Sequence, residues 1–194
     1  KLNFKKKTTK KNKKKFLKLG TSGVLREDFD GKELIYLSSK FKKYKGKKIK
    51  YFHYGGIKNY YYFKIVEYLN RKRNLDFQII PFIKNKNIFF QSISSLDIGY
   101  SLVKKDSYSK NVLTSKIVAF IQCGVPIICS NTLEEASKII KENKIGLVTN
   151  GNIDDIINKK KLIIKNKNIY KKNIFLFLKK INKNKDLYAK YYLN

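Results

Sequence analysis

The chain has 194 residues, of which 42% are hydrophobic, so it can bury one substantial core and lacks the composition of a disordered protein. Its formal net charge of +31 comes almost wholly from lysine, and it has only three arginines. Proteins that read nucleic acids commonly use the paired hydrogen bonds of arginine. The composition therefore favours attraction to anionic membranes over nucleic-acid recognition. No run of about twenty apolar residues and no apolar signal segment is present, which predicts a cytoplasmic protein whose membrane contact, if any, is at the surface.

Residues 1–15 are dense in lysine and cannot bury much surface, so they are predicted to be a linker or tail. Residues 16–194 are predicted to form a single domain. The chain does not begin with Met, which favours a processed chain or a part of a longer one. Patches rich in lysine at 42–50 and 159–168 are interpreted as solvated loops or helix ends.

From residue 16 onward, short apolar runs alternate with amphipathic stretches, which is the pattern of strands and helices that follow one another. Six runs are predicted to be strands: FLKLG, IKYFHYGG, DFQIIPF, LDIGYSL, VPIICS and IGLVT. Helices are predicted between the first five strands over 32–43, 60–71, 88–95 and 115–123, with one or two more after residue 169. Continuous apolar strands separated by helices predict an α/β fold, a Rossmann-like doubly wound parallel sheet of about six strands with C-terminal helices.

Two further helices have start signals in the sequence. Thr132 and Glu135 have the spacing of a capping box, and Gly146 follows the end of the amphipathic stretch that they open. The segment NIDDIINKK begins a second capped helix after the sixth strand. We therefore predict a helix on either side of that strand.

The loops that follow the strands are the place to look for a ligand, because a doubly wound sheet binds its ligand beyond the carboxyl ends of its strands. After the first strand a short loop ending at Gly23 leads to Arg26, and Gly55 and Gly56 follow the second. Small residues let a diphosphate approach the backbone, and a nearby helix start adds its positive end. The same residues are also ordinary turn formers, so these loops alone leave both interpretations open.

Other candidates for chemistry are sparse. Cys123 and Cys129 lie inside hydrophobic segments with only His53 to complete a metal site, so we expect buried thiols rather than ligands. His53 closes an apolar strand at the ligand edge, where a packed histidine is favoured over a ligand-binding one. No carboxylate pair and no Ser-His-Asp arrangement is recognisable.

Residues 114–131, TSKIVAFIQCGVPIICSN, place a lysine at a helix start, Gly-x-Pro after its end, and then a buried strand that closes in Ser and Asn. This segment resembles the signature of B-fold glycosyltransferases of the group 1 type, and the matching residues are Lys116, Gly124, Pro126, Ile127 and Ile128. The segments GTSGVLREDFDGKELIYL, LDIGYSLV and IIKENKIGLVTNGNIDDI resemble the same domain, and the order agrees over residues 16–160.

The resemblance implies the C-terminal, nucleotide-sugar-binding half of such an enzyme, which transfers a sugar from a UDP- or GDP-linked donor to a hydroxyl of a glycan or lipid-linked saccharide. It implies that Lys116 and Arg26 contact the diphosphate, that Gly23 allows close approach, and that Gly124 and Asn131 belong to the donor site. The donor is a substrate, so no cofactor is implied. Lysine and backbone amides, rather than a metal, would then meet the charge of the leaving diphosphate.

One departure from the family pattern affects donor binding. The acidic residue that grips the donor ribose in the family falls at Ala119, and the earlier acidic position falls at Asn111. Alanine cannot accept a hydrogen bond from a hydroxyl, so a contact worth about 1 kcal/mol would be missing. The alternative is therefore a non-catalytic Rossmann-like binding or scaffold domain, in which Lys116 and Arg26 are solvated surface charges.

Overall fold

The computed structural model describes residues 16–25, 31–58, 60–72, 76–103 and 113–183. The strands within them are β1 (Phe16–Ser22), β2 (Lys43–Tyr44), β3 (Lys47–Tyr54), β4 (Phe77–Ile80), β5 (Ile98–Ser101), β6 (Ile127–Ser130) and β7 (Gly146–Thr149). The helices are α1 (Gly31–Lys40), α2 (Tyr60–Lys72), α3 (Lys86–Ser94), α4 (Ser115–Gln122), α5 (Glu134–Glu142), α6 (Ile153–Lys165) and α7 (Lys167–Lys183). None of these helices is long and apolar enough to cross a bilayer.

The strands form one sheet in the order β2-β3-β1-β5-β6-β7, and β4 also pairs with β3. Every pair is parallel except β2 with β3, whose antiparallel ladder is two residues long. Apart from β2, the six parallel strands follow the doubly wound order, with the switch point between β1 and β5. The predicted fold class is thus confirmed.

Each face of the sheet carries a separate hydrophobic core. Neighbouring strand residues alternate between the two, as Tyr51 and Phe52 or Ile127 and Ile128 do, because side chains along a strand point to opposite faces. Helices α3, α4, α5 and α7 contribute buried residues to one core, and α1 and α6 contribute to the other. Helices therefore cover both faces of the sheet. A ligand can reach the sheet at the ends of its strands.

The interpretation of residues 42–50 as a loop or helix end is wrong, whereas residues 159–168 do cover the end of α6 and the start of α7 but are not all solvated. Within residues 42–50, strands β2 and β3 form a hairpin whose turn residues, Lys45 and Gly46, have φ values of 47° and 76°. Such turns match the twist of the strands, and the lysines stay solvated at the sheet margin. Residues 159–165 belong to α6, where Lys160 is fully buried because it shares the inner face of the helix with isoleucines.

The predicted capping box of α5 is also wrong, although the helix itself forms where expected. Its N-cap is Leu133, which makes no side-chain capping bond, and the Thr132 hydroxyl instead donates to the Val103 carbonyl oxygen at 3.0 Å. At the other end, the left-handed residue after the helix is Lys144 rather than a glycine. Gly146 begins β7, where a Cβ would lie 2.2 Å from the Ile127 carbonyl oxygen.

Candidate functional site

The carboxyl ends of β1 and β5 lie side by side at the switch point of the sheet. β1 runs into Gly23, whose φ of 104° favours glycine. Its amide hydrogen is already donated to the Tyr54 carbonyl oxygen at 2.9 Å. Gly23 can therefore offer space to a ligand at this edge, but not its own N–H.

The loop after β3 holds the Gly23 turn in place. Gly55 has a φ of 144°, and a Cβ on it would lie 1.9 Å from the Gly23 carbonyl oxygen, so only glycine fits there. Farther along, the Leu25 amide donates to the Gly56 carbonyl oxygen at 2.9 Å. His53 Nε2 lies 3.1 Å from the same oxygen, and the ring is buried, so His53 is the packed histidine that the sequence favoured.

Lys116 comes from the first turn of α4 and lies next to Gly23. Its Cε is 3.9 Å from the position that a Cβ on Gly23 would occupy. Only 8% of the residue is exposed. Two residues separated by more than ninety positions in the sequence thus meet at the switch point.

The start of α4 adds a positive dipole end to the same edge. Its N-cap, Thr114, makes no side-chain capping bond to the first amides of the helix. Instead, Thr114 Oγ1 lies 3.4 Å from Oγ of Ser101, the buried last residue of β5. Sequence reasoning did not single out this hydroxyl pair beside Lys116, although a threonine just before a helix was a visible signal.

The remaining predicted site residues do not join Lys116 and Gly23. Gly124 lies past the opposite end of α4. Its φ of 67° is left-handed, so the helix ends there before β6 begins. Asn131 follows β6, two strands from β1, which corresponds to about 10 Å. It is exposed and lines a surface cavity of about 390 Å³ along α5. Arg26 lies outside the described residues.

The departure at Ala119 falls on the same helix as Lys116. Ala119 is three residues further along α4, hence on the same side of the helix, and it is buried. Its methyl group offers no acceptor to a hydroxyl of a bound ligand. Asn111, the other departure, lies outside the described residues.

The hydroxyl group of Tyr54 and the thiol group of Cys123 both have raised pKa values and stay neutral. Tyr54 ends β3, and burial raises the pKa of its hydroxyl against the opposing effect of a hydrogen bond with Ser95. Burial raises the pKa of the Cys123 thiol to about 11, and Cys129 is a buried free thiol. Within the described part of the chain, no three His, Cys, Asp or Glu side chains are grouped as metal ligands would be.

No protein-family model matches the sequence, and no curated protein sequence matches it. Solved structures do share its fold. The C-terminal domain of the glycosyl transferase group 1 family protein LpcC from Francisella tularensis superposes with a TM-score of 0.64 at 19% identity, covering 81% of this chain and 80% of that one.

Two longer glycosyltransferase structures have the same fold over part of their length. Anabaena HepE, in complex with UDP and glucose, superposes with a TM-score of 0.63 at 12% identity over 82% of this chain. WaaG, a glycosyltransferase involved in lipopolysaccharide biosynthesis, gives 0.66 at 12% identity over 91%. The chain spans only 42% and 45% of these two proteins. It therefore has the fold of the C-terminal domain of B-fold glycosyltransferases.

Proposed function

We propose that this chain is the donor-binding half of a glycosyltransferase, which holds a UDP- or GDP-linked sugar for transfer to a hydroxyl of a glycan or lipid-linked saccharide. The observation that carries the proposal is the position of Lys116 beside Gly23 at the switch point of the sheet. Doubly wound sheets bind nucleotides at this point. The UDP and UDP-glucose complexes of HepE, which has the same fold, support a nucleotide-sugar as the ligand.

The proposed site acts on the diphosphate of the donor. The absent side chain at Gly23 leaves room for phosphate oxygens beside the Lys116 ammonium group, and the start of α4 directs its positive end there. As the glycosidic bond breaks, negative charge grows on the leaving diphosphate, and a fixed cation and helix dipole stabilise that charge most in the transition state. The acceptor would be bound by a further part of the protein.

Ala119 favours a second candidate, a non-catalytic Rossmann-like domain that serves as a binding or scaffold module. A buried methyl group on the Lys116 side of α4 cannot accept a hydrogen bond from ribose hydroxyls. A domain of this kind would keep the fold without discriminating between nucleotides.

Titration calorimetry with UDP, GDP and ADP at physiological salt tests the proposal. We expect one nucleotide to bind selectively, and Lys116→Ala to weaken its binding by about 1 to 3 kcal/mol because a charge-assisted contact is lost. Lys48→Ala is the matched control, because Lys48 is an exposed lysine at the amino end of β3. Weak and equal binding of all three nucleotides, removed by salt and the same in both variants, would contradict the proposal and support the scaffold module.

A further inference from the structure

One face of helix α7 is exposed and is not covered by the other described residues. Its 17 residues include six lysines and no acidic residue. The inner face is apolar and enters the first core through Ile174, Phe177 and Ile181. The opposite side forms a stripe at helical spacing, which we call the outer stripe and which consists of exposed residues Ile169, Lys172, Leu176, Lys180 and Lys183.

The outer stripe exposes apolar surface that the fold does not use. Ile169 is 58% exposed and Leu176 is 51% exposed, and Phe175, next to the stripe, is 49% exposed. Lys179 Nζ lies 4.5 Å from the centre of the Phe175 ring, so a cation accompanies this exposed ring. Single exposed apolar residues are ordinary, but three on one helix with lysines between them form an amphipathic surface.

We propose that the outer stripe of α7 docks the protein onto an anionic lipid surface. In this arrangement Ile169, Leu176 and Phe175 enter the boundary between headgroups and acyl chains. The lysines before and after them reach the phosphate groups of the lipids, because their long stems lie along apolar surface while the ammonium groups stay solvated. The helix lies in the plane of the membrane, since it is too short in apolar residues to cross it.

The alternation of exposed apolar residues and lysines on α7 favours lipid as the partner. A polyanion such as nucleic acid would use the lysines but would leave the aliphatic side chains in water, and α7 carries no arginine for phosphate or base recognition. The net charge of +31 attracts the whole chain to any anionic surface, whereas the exposed Ile169, Phe175 and Leu176 of α7 supply apolar contact as well. Binding to lipid should therefore depend on both the net charge and these apolar side chains.

Co-sedimentation of the 194-residue chain with phosphatidylcholine vesicles, with and without phosphatidylglycerol, tests this proposal. At physiological salt we expect binding only to the anionic vesicles, and the double variant Ile169→Asp, Leu176→Asp should lower the partition coefficient by about tenfold or more. The control carries the same charge change on α2, as Tyr60→Asp and Tyr68→Asp, because both tyrosines are exposed. It should lower binding by about twofold or less.

A fluorescent probe reports contact at the helix itself. The sequence contains no Trp, so Leu176→Trp introduces a single one on the outer stripe. Its emission should shift to shorter wavelength on anionic vesicles, while that of Tyr68→Trp on α2 should stay unchanged. Equal losses of binding in the two aspartate variants, or no shift at position 176, would overturn the proposal and leave attraction by net charge alone. All replaced side chains are about half exposed or more, so circular dichroism should show folded variants.

Discussion

Lys160 is a lysine with no contact to solvent. It lies on the inner face of α6, and its Nζ is 3.2 Å from the Tyr51 hydroxyl and 3.6 Å from the centre of the Phe41 ring. Tyr51 in turn donates to the Phe41 carbonyl oxygen at 3.1 Å. No carboxylate is among these contacts. Burial, helped by the nearby charge of Lys161, lowers the pKa of Lys160 from its ordinary 10.5 to about 6.

This shift makes stability depend on pH in a defined window. Between about pH 6 and pH 10 the unfolded chain holds a proton on Lys160 that the folded chain lacks, so raising the pH stabilises the fold. We expect the free energy of unfolding to rise with pH more steeply in the wild type than in Lys160→Met, by up to about 1.4 kcal/mol per pH unit. Urea denaturation between about pH 6.5 and 8.5 measures both slopes.

The control is Lys165→Met, which removes an exposed lysine from the same helix. It should keep the slope of the wild type. Burial also raises the pKa of Tyr51, so tyrosine ionisation opposes the effect only above about pH 10, outside the measured range. Parallel slopes in wild type and Lys160→Met would mean that Lys160 is charged in the fold.

Among the elements, helices α4 and α5 end in the same motif with different residues. After α4, the Val125 amide donates to the Phe120 carbonyl oxygen at 2.9 Å, and Gly124 takes the left-handed conformation. After α5, the Ile145 amide donates to the Ile140 carbonyl oxygen at 3.2 Å, and Lys144 has a φ of 50°. This is the Schellman ending, which glycine forms without the steric cost that a Cβ brings.

Replacing Lys144 with glycine should therefore stabilise the protein. We expect Lys144→Gly to raise the free energy of unfolding by about 0.5 to 1 kcal/mol, because relief of the left-handed strain exceeds the added chain entropy of glycine. Lys144→Ala is the control, since it removes the same charge but keeps a Cβ, and it should give no gain. Urea denaturation measures all three proteins, and an equal gain from alanine would assign the effect to charge.

The starts of α6 and α5 show when the local sequence is sufficient to predict a helix-capping hydrogen bond and when it is not. Asn152 caps α6 as predicted, and its side chain accepts a hydrogen bond from the Asp154 amide at 2.9 Å. Thr132 has an equally good local signal but bonds to Val103, which comes from a distant part of the chain. A side chain at the start of a helix has several acceptors within reach, and the loop after β5 supplies one that the sequence around Thr132 does not reveal.

At the scale of the whole molecule, the net charge of +31 works against compactness. Ion pairs are few among the described residues, and most of them lie partly or largely in solvent, so they offset little of the repulsion between lysines. Self-repulsion of this kind is larger in the folded chain than in the expanded unfolded chain.

Salt should consequently stabilise this protein. We expect the melting temperature to rise as sodium chloride increases from about 0.05 to 0.5 M, because the screening length falls well below the size of the domain. Scanning calorimetry provides the measurement, and a nonionic osmolyte at equal osmolality is the control for effects other than screening. A melting temperature that is flat or falls with salt would show that specific ion pairs outweigh the repulsion.

The sequence by itself determined the six parallel strands, the helices and their order, because hydrophobic period and length are local properties of the chain, but it did not predict the short β2. It also predicted Lys116 and Gly23, through a family resemblance. Only the tertiary structure decided that these two residues meet while Gly124 and Asn131 lie elsewhere, since contacts between distant segments depend on strand order. Neighbours from other parts of the chain likewise decided that Lys160 is buried although it lies in a lysine run. They also decided that Thr132 donates a hydrogen bond to Val103 instead of capping α5.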